Sequence, residues 1–206
     1  MDNAVGSREV MSCVVVSKKH QILKLTSDEF AILLGSMLGD GYITKKGRIQ
    51  IEQSKRQGEY IQWKYSNLKR ILSTNLLSAT RKRAPDIITY SYRFWTKQYF
   101  HSWRELFYPA GIKIIPAGII SLLSPLALAV WFMDDGFLRK KDAVGIATET
   151  FSEKELTELV QEFFRQYGMK VSVVKRRRLY FGRKATQQFI KIISPYIIPA
   201  MRYKLP

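Results

Sequence analysis

At 206 residues, with 46% hydrophobic and 13% aromatic side chains, the chain has material for one large core or two small ones and is expected to fold over most of its length. A net charge of +17 goes far beyond what solubility requires and points to a polyanionic partner, most simply nucleic acid. A single cysteine, Cys13, excludes a disulfide framework and a thiolate metal cluster, and implies a reducing intracellular compartment, bacterial cytoplasm or organelle. No apolar run reaches the roughly 18 residues of a membrane span, so no membrane association is expected.

Residues 1–25 read as a tail with a short strand over 12–16, and Asp2 and Glu9 speak against a targeting segment there. Thr26-x-x-Glu29 is a capping box that opens a helix running to Gly39. After Asp40-Gly41 the apolar period changes to two. Residues 42–53 predict a hairpin turning near Lys46-Gly47, with Ile49 and Ile51 on one face and Arg48, Gln50 and Glu52 on the other. A helix over 59–73, strands over 79–83 and 87–96, and a helix over 98–107 complete this half. Residues 108–118, rich in Pro and Gly, read as a linker.

Beyond the linker the chain repeats the plan. Ser124-Pro125 places Ser at an N-cap and Pro at the first helical position. The helix ends at Asp134-Asp135-Gly136, a hairpin should run through Thr150, and Ser152-x-x-Glu155 caps a helix to Tyr167. Strands over 169–177 and 179–184 and a helix over 186–193 close the chain.

The repetition is explicit in one stretch. Phe30-Ala-Ile-Leu-Leu-Gly-Ser-Met-Leu-Gly-Asp-Gly-Tyr42 returns as Leu126-Ala-Leu-Ala-Val-Trp-Phe-Met-Asp-Asp-Gly-Phe137, each an apolar helix ending in Asp-Gly. An apolar run has no reason of its own to finish on a carboxylate, so Asp40 and Asp135 mark a site that needs charge where the two ends meet. Duplication within one chain implies pseudo-twofold symmetry, which suits a partner with an approximate twofold of its own, such as duplex DNA. Charge is segregated as well. The expected helix over 152–167 carries Glu153, Glu155, Glu158 and Glu162, whereas residues 168–206 contain no acid. The strands therefore read as the basic side, with arginine forks able to reach guanine edges and phosphates.

Leu33-Leu-Gly-Ser-Met-Leu-Gly-Asp-Gly41 and Leu128-Ala-Val-Trp-Phe-Met-Asp-Asp-Gly136 resemble the two signature helices of the LAGLIDADG homing endonucleases, in the form that carries both motifs on one polypeptide. The likeness extends over nearly the whole chain from Thr26. It implies an α+β fold: two pseudo-twofold-related αββαββα halves, residues 26–112 and 124–206 joined by 113–123, with antiparallel sheets saddling DNA and the signature helices packed at the centre. It implies that Asp40 and Asp135 hold divalent metal, Mg²⁺ with Mn²⁺ able to substitute, beside Gly39 and Asp134 as further ligands. Lys113-Ile-Ile-Pro116 and Tyr203-Lys-Leu-Pro206 resemble segments that place the basic residue assisting catalysis in intron-encoded members, which makes Lys113 and Lys204 the candidate bases. Gln53 matches the polar residue that orders active-site water in relatives. Glu149 reads as its counterpart, which would make the half-sites unequal and one strand cut faster. Val130 and Trp131 replace small residues of the signature, so close helix approach must rely on Gly35, Ser36, Gly39 and Ala129.

The chemistry stands on its own terms. Phosphodiester hydrolysis needs an activated water and relief of charge on the leaving oxygen, and carboxylate-held Mg²⁺ supplies both, its shell completed by carbonyls, waters and phosphates. Cutting two strands needs two such centres. DNA contacts are expected from Lys45, Lys46, Arg48, Gln50, Arg81, Arg83 and Arg93 in the first half, and from Arg139, Lys140, Thr148, Lys175, Arg176, Arg178 and Arg183 in the second. His20 and His101 are the only histidines, too few for nucleases built on a histidine base with His or Cys ligands. Pro85-Asp86 reads as a turn, and Trp63, Trp95, Trp103 and Trp131 as mostly core. The reading is therefore a monomeric, site-specific double-strand DNA endonuclease recognising a long asymmetric site. Its rival is an RNA maturase, or a non-cleaving nucleic-acid-binding protein on the same scaffold, with intron RNA as partner.

Overall fold

The computed structural model describes residues 13–84, 87–140 and 142–206, and only the backbone of residues 81–84, 87 and 140. Residues 1–12, Pro85 and Asp86, where a turn is expected, and Lys141 lie outside it.

Two halves share one plan. In the first, helix α1 (Ser27–Leu38) leads into strands β3 (Tyr42–Ile43) and β4 (Ile49–Ser54), helix α2 (Gly58–Leu68), strands β5 (Leu77–Ala84) and β6 (Ile87–Trp95), and helix α3 (His101–Phe107). In the second, α4 (Pro125–Asp135) leads into β7 (Gly136–Lys140), β8 (Ala143–Ile146), α5 (Glu153–Tyr167), β9 (Val171–Val174), β10 (Arg178–Phe181) and α6 (Arg183–Ile193). The antiparallel sheets have the orders β3-β4-β6-β5 and β7-β8-β10-β9, the same permutation twice. Register agrees too: Tyr42 pairs with Gln50 and Phe137 with Gly145, each member shifted by 95 residues.

The two signature helices begin where the sequence says they should. The Thr26 side chain accepts from the Glu29 amide while Glu29 accepts from the Thr26 amide, and Ser124 caps α4 with Pro125 in the first turn. Nine residues of α1 and eight of α4 are buried, because each helix packs on the other and on a further helix of its own half, α1 on α2 and α4 on α6. Their approach is set by glycine. A Cβ on Gly35 would lie 2.3 Å from the Ala127 carbonyl oxygen, and one on Gly39 would lie 2.5 Å from the Asp134 Cβ. The facing residue at Gly35 is thus Ala127, with Val130 beside it. Trp131, which breaks the small-residue signature, is fully buried and stacks on Phe163 instead.

Four sequence expectations are corrected. The expected tail contains a hairpin, β1 (Val14–Val16) against β2 (Ile22–Lys24), and it contributes buried Val15 and Leu25 to the core. The strand expected over 12–16 is β1, and its three-residue mate β2 is too short for periodicity to reveal. The strand expected over 169–177 stops at Val174, because Arg176 and Arg177 adopt left-handed backbone angles (φ 63° and 55°) that no ladder accommodates. The last helix begins at Arg183 rather than Thr186, which moves Arg183 and Lys184 off the sheet. The helix over 59–73 ends at Leu68 and passes into a 3₁₀ turn, Lys69–Ile71.

Candidate active site at the paired helix ends

The second signature helix runs directly into the first strand of its sheet and the first reaches its own through Gly39-Asp40-Gly41, so Asp40 and Asp135 stand at corresponding helix–strand corners. The backbone is poorly suited to them: the C-terminal end of a helix is its negative end, and carboxylates there are disfavoured unless cations balance them. Three lysines do so. Lys113 donates its ammonium to the carbonyls of Gly39 (2.6 Å) and Gly41 (3.1 Å). Lys204, from the 3₁₀ turn Pro199–Lys204, donates to Met133 (2.6 Å) and Asp134 (2.9 Å). Since Asp134 stands 95 residues after Gly39, the two lysines hold equivalent terminal carbonyls. The third, Lys64 on α2, is wholly buried and ion-paired with both oxygens of the buried Asp134 carboxylate, at 2.7 and 2.9 Å.

Gln53, buried on the core face of β4, links this pair to the first acid: its Nε2 donates to Asp40 Oδ2 (2.8 Å) and to Asp134 Oδ1 (3.0 Å). The Asp134 side chain is thereby committed to Lys64 and Gln53, leaving its backbone carbonyl, like that of Gly39, as the group able to face a cation. Asp40 is exposed. Asp135 is half-buried, and its carboxylate accepts no hydrogen bond from a described residue. Burial, followed by the neighbouring Asp40 and Asp134 charges, pushes the Asp135 carboxyl up to about 8. Burial lowers Lys113 to about 8 and lowers Lys204 as well, opposed in both by the three aspartates.

The donors gathered here are hard oxygens, carboxylate and carbonyl, the set that suits Mg²⁺ and not a thiolate- or imidazole-seeking metal. Among the described residues no group of three or more His, Cys, Asp or Glu side chains converges on a point, so water and phosphate oxygens would complete such a shell. Asp135, half-buried and without a hydrogen-bonded partner among the described residues, is the feature that fits a bound cation.

Glu149 is not the counterpart of Gln53. With strand register repeating at 95 residues, Thr148 corresponds to Gln53 and Glu149 to Ser54. Thr148 is buried and donates to the Arg177 carbonyl (2.5 Å), whereas Glu149 is ion-paired with Arg178. The sequence alignment slipped by one because a carboxylate resembles an amide more than a threonine does. Lys64 went unread although a signal existed: the buried stripe of α2 is Tyr60, Ile61, Lys64 and Leu68, a lysine in core register, and the second motif has an extra acid where the first has Gly39.

The expected DNA contacts divide. Lys45 and Lys46 are placed on the β3–β4 turn, and Lys175 and Arg176 on the β9–β10 turn. Arg48 is half-buried at the foot of β4. Gln50, Arg93 and Trp95 share the sheet face opposite buried Ile49, Ile51 and Phe94, with Trp95 Nε1 donating to Gln50 (3.1 Å) and Arg93 over the Trp95 ring (5.1 Å). Arg139 lies over Tyr180 (4.3 Å) and Arg178 over Phe137 (5.4 Å) on the second sheet. Thr148 faces the core, and Arg183 pairs with Asp142 (3.1 Å) at the start of α6, so neither belongs to these sheet faces. Arg81 and Arg83 are on β5 and Lys140 is on β7, but their side chains lie outside the described residues.

Comparison with known proteins is consistent across sequence and shape. Residues 30–189 match the model of the LAGLIDADG DNA endonuclease family. The chain is 31% identical to the cytochrome b mRNA maturase bI2 of Saccharomyces cerevisiae, over all of this chain and 54% of that protein, so it spans about half the relative's length. It is 29% identical to the maturase of the same name from Debaryomyces hansenii, over 98% of this chain and 83% of that one. The homing endonuclease I-WcaI, solved bound to its DNA recognition sequence, superimposes with a TM-score of 0.80 over 100% of this chain and 94% of that one, at 23% identity.

Proposed function

The chain belongs to the LAGLIDADG DNA endonuclease family, and from that premise we propose that it is a monomeric, site-specific double-strand DNA endonuclease dependent on Mg²⁺, with Mn²⁺ able to substitute. Residues 26–112 and 124–206, joined by 113–123, each contribute one helix-end acid. The observation that carries the reading is the pair Asp40 and Asp135 at equivalent corners of two matched halves, one exposed, one half-buried, and neither held in a direct ion pair with a described residue.

Asp40 and Asp135, with the carbonyls of Gly39 and Asp134, would hold the metal. When bound, the metal supplies an activated water and relief of charge on the leaving oxygen. The chain's own residues do the rest. Gln53 orients Asp40, and Lys113 and Lys204 keep positive charge against the helix-terminal carbonyls, within reach of a phosphate laid over the corners. An ammonium brought down to about 8, as in Lys113, can give up or take a proton near neutral pH, which suits general acid–base work on a leaving oxygen. The basic turns at Lys45-Lys46 and Lys175-Arg176 supply phosphate contacts, and the Gln50, Arg93, Arg139 and Arg178 faces supply base readout.

A second reading, RNA maturation, is favoured by one specific observation: the two curated relatives with this identity carry the name cytochrome b mRNA maturase. The test is incubation with a randomised duplex library and Mg²⁺, followed by sequencing of cut ends. A single long consensus cut in both strands supports the endonuclease. An intact library, together with splicing of a precursor RNA stimulated by the same protein, supports the maturase alone.

A further inference from the structure

The Lys64–Asp134 pair joins the first half to the second, and it has no twofold mate. The buried stripe Ile61, Lys64 and Leu68 on α2 returns 95 residues on as Leu156, Leu159 and Phe163 on α5, so an apolar Leu159 stands where Lys64 would be repeated. Gly39 stands where Asp134 would be repeated, and Thr148 where Gln53 would be. No member of the Lys64–Asp134–Gln53 chain is therefore repeated at the twofold-related position.

That chain is rigid. The Lys64 ammonium binds both Asp134 oxygens and packs 4.5 Å over the Tyr60 ring, and the Tyr60 hydroxyl donates to the Val130 carbonyl on α4 (3.1 Å). Asp134 in turn accepts from Gln53, and the same amide nitrogen donates to Asp40. With its Nε2 committed to two carboxylates, the Gln53 amide cannot rotate, and the Asp40 carboxylate is fixed with it. Without Lys64, a buried Asp134 anion would sit beside Asp40 and repel it. Lys64 cancels that charge where water cannot. Among the described residues the Asp135 carboxylate has no such support, since Thr148 turns away to the Arg177 carbonyl.

Resting on the endonuclease reading above, we infer that Lys64 is a positioning residue: through Asp134 and Gln53 it presets the Asp40 half-site and not the Asp135 half-site, so the two DNA strands are cut at unequal rates.

The test is strand-resolved nicking of a labelled duplex carrying the cut site, in Mg²⁺. Wild type should cut one strand about tenfold faster, the scale set by loss of fixed geometry at a reacting centre. Lys64→Met/Asp134→Leu replaces the pair by apolar groups of similar volume and should keep the fold. It should slow the faster strand about tenfold more than the slower one, bringing their ratio towards one. Gln53→Ala should do the same, and adding it to the double variant should cost nothing further. Lys64→Gln, which keeps a donor to Asp134 but removes the charge, is the second variant, and the ratio should move in the same direction. A purely structural pair would slow both strands by one factor. That result, or equal strand rates in wild type, overturns the inference while leaving the endonuclease standing. A wild type that cuts no duplex overturns both.

Discussion

At the end of α1, Lys113 donates to the carbonyls of Gly39 and Gly41. At the end of α4, Lys204 donates to those of Met133 and Asp134. Around the carboxylates the likeness stops: Asp40 is held by Gln53, itself held by the buried Lys64–Asp134 pair, while Asp135 meets none of these. The difference teaches that duplication preserved what a helix end needs, a cation against its exposed carbonyls, and left the orientation of each acid free to diverge. Backbone electrostatics is common to any two helices, whereas acid support depends on single side chains.

The contrast between the two ends breaks most severely if Lys64 is truncated. Lys64→Ala leaves a buried carboxylate with no counter-ion and should cost about 3–5 kcal/mol of stability, seen as a lower denaturant midpoint. Leu159→Ala at the mate position leaves only a cavity and should cost less, about 2–3 kcal/mol. Equal losses would erase the distinction.

The shared feature is tested next. Lys113→Met and Lys204→Met should each lower the cleavage rate by about 10²-fold, roughly 2.7 kcal/mol, and by similar factors, because they hold equivalent carbonyls. A large disparity in cleavage time courses would show that the ends are not alike even there.

Titration sharpens the contrast further. With Asp135 raised to about 8 from 3.8, the metal-free folded state keeps a proton that the unfolded chain has lost, so stability falls as pH rises between those values. Lys113, lowered to about 8 from 10.5, works the other way: from about 8 upward the unfolded chain binds more protons, and stability recovers towards 10.5. In chelator, Asp135→Asn should reduce the fall and leave the variant more stable than wild type at pH 8, as read by denaturation across pH. An unchanged profile would contradict the burial argument.

The smallest effect belongs to the sheet face. Arg93→Ala should weaken DNA binding by about 1 kcal/mol and unevenly across target sequences, since Arg93 lies beside Gln50 and Trp95 on the sheet face proposed to read bases. A uniform loss in competition binding would demote it to a phosphate contact.

The element order of both halves, and the meeting of Asp40 with Asp135, were legible because long apolar helices with capping boxes and terminal Asp-Gly are local signals that repeat. Lys113 and Lys204 were legible only through resemblance. What escaped was set by tertiary register. Whether Thr148 or Glu149 stands at the position matching Gln53 depends on one residue of strand alignment, and whether Lys64 is a solvated or a buried cation depends on the partner placed over it. The second strand of the N-terminal hairpin and the left-handed Arg176 and Arg177 carry no period to read.

The most direct test of the paired-acid site is cleavage by Asp40→Asn and Asp135→Asn at the sequence recovered from the library, with binding to the same duplex measured alongside. Each variant should lose double-strand cleavage by at least about 10³-fold while binding as tightly as wild type or tighter, because a carboxylate that repels phosphate has been neutralised. Cleavage that survives in both variants would contradict the site, and with it the function built on it.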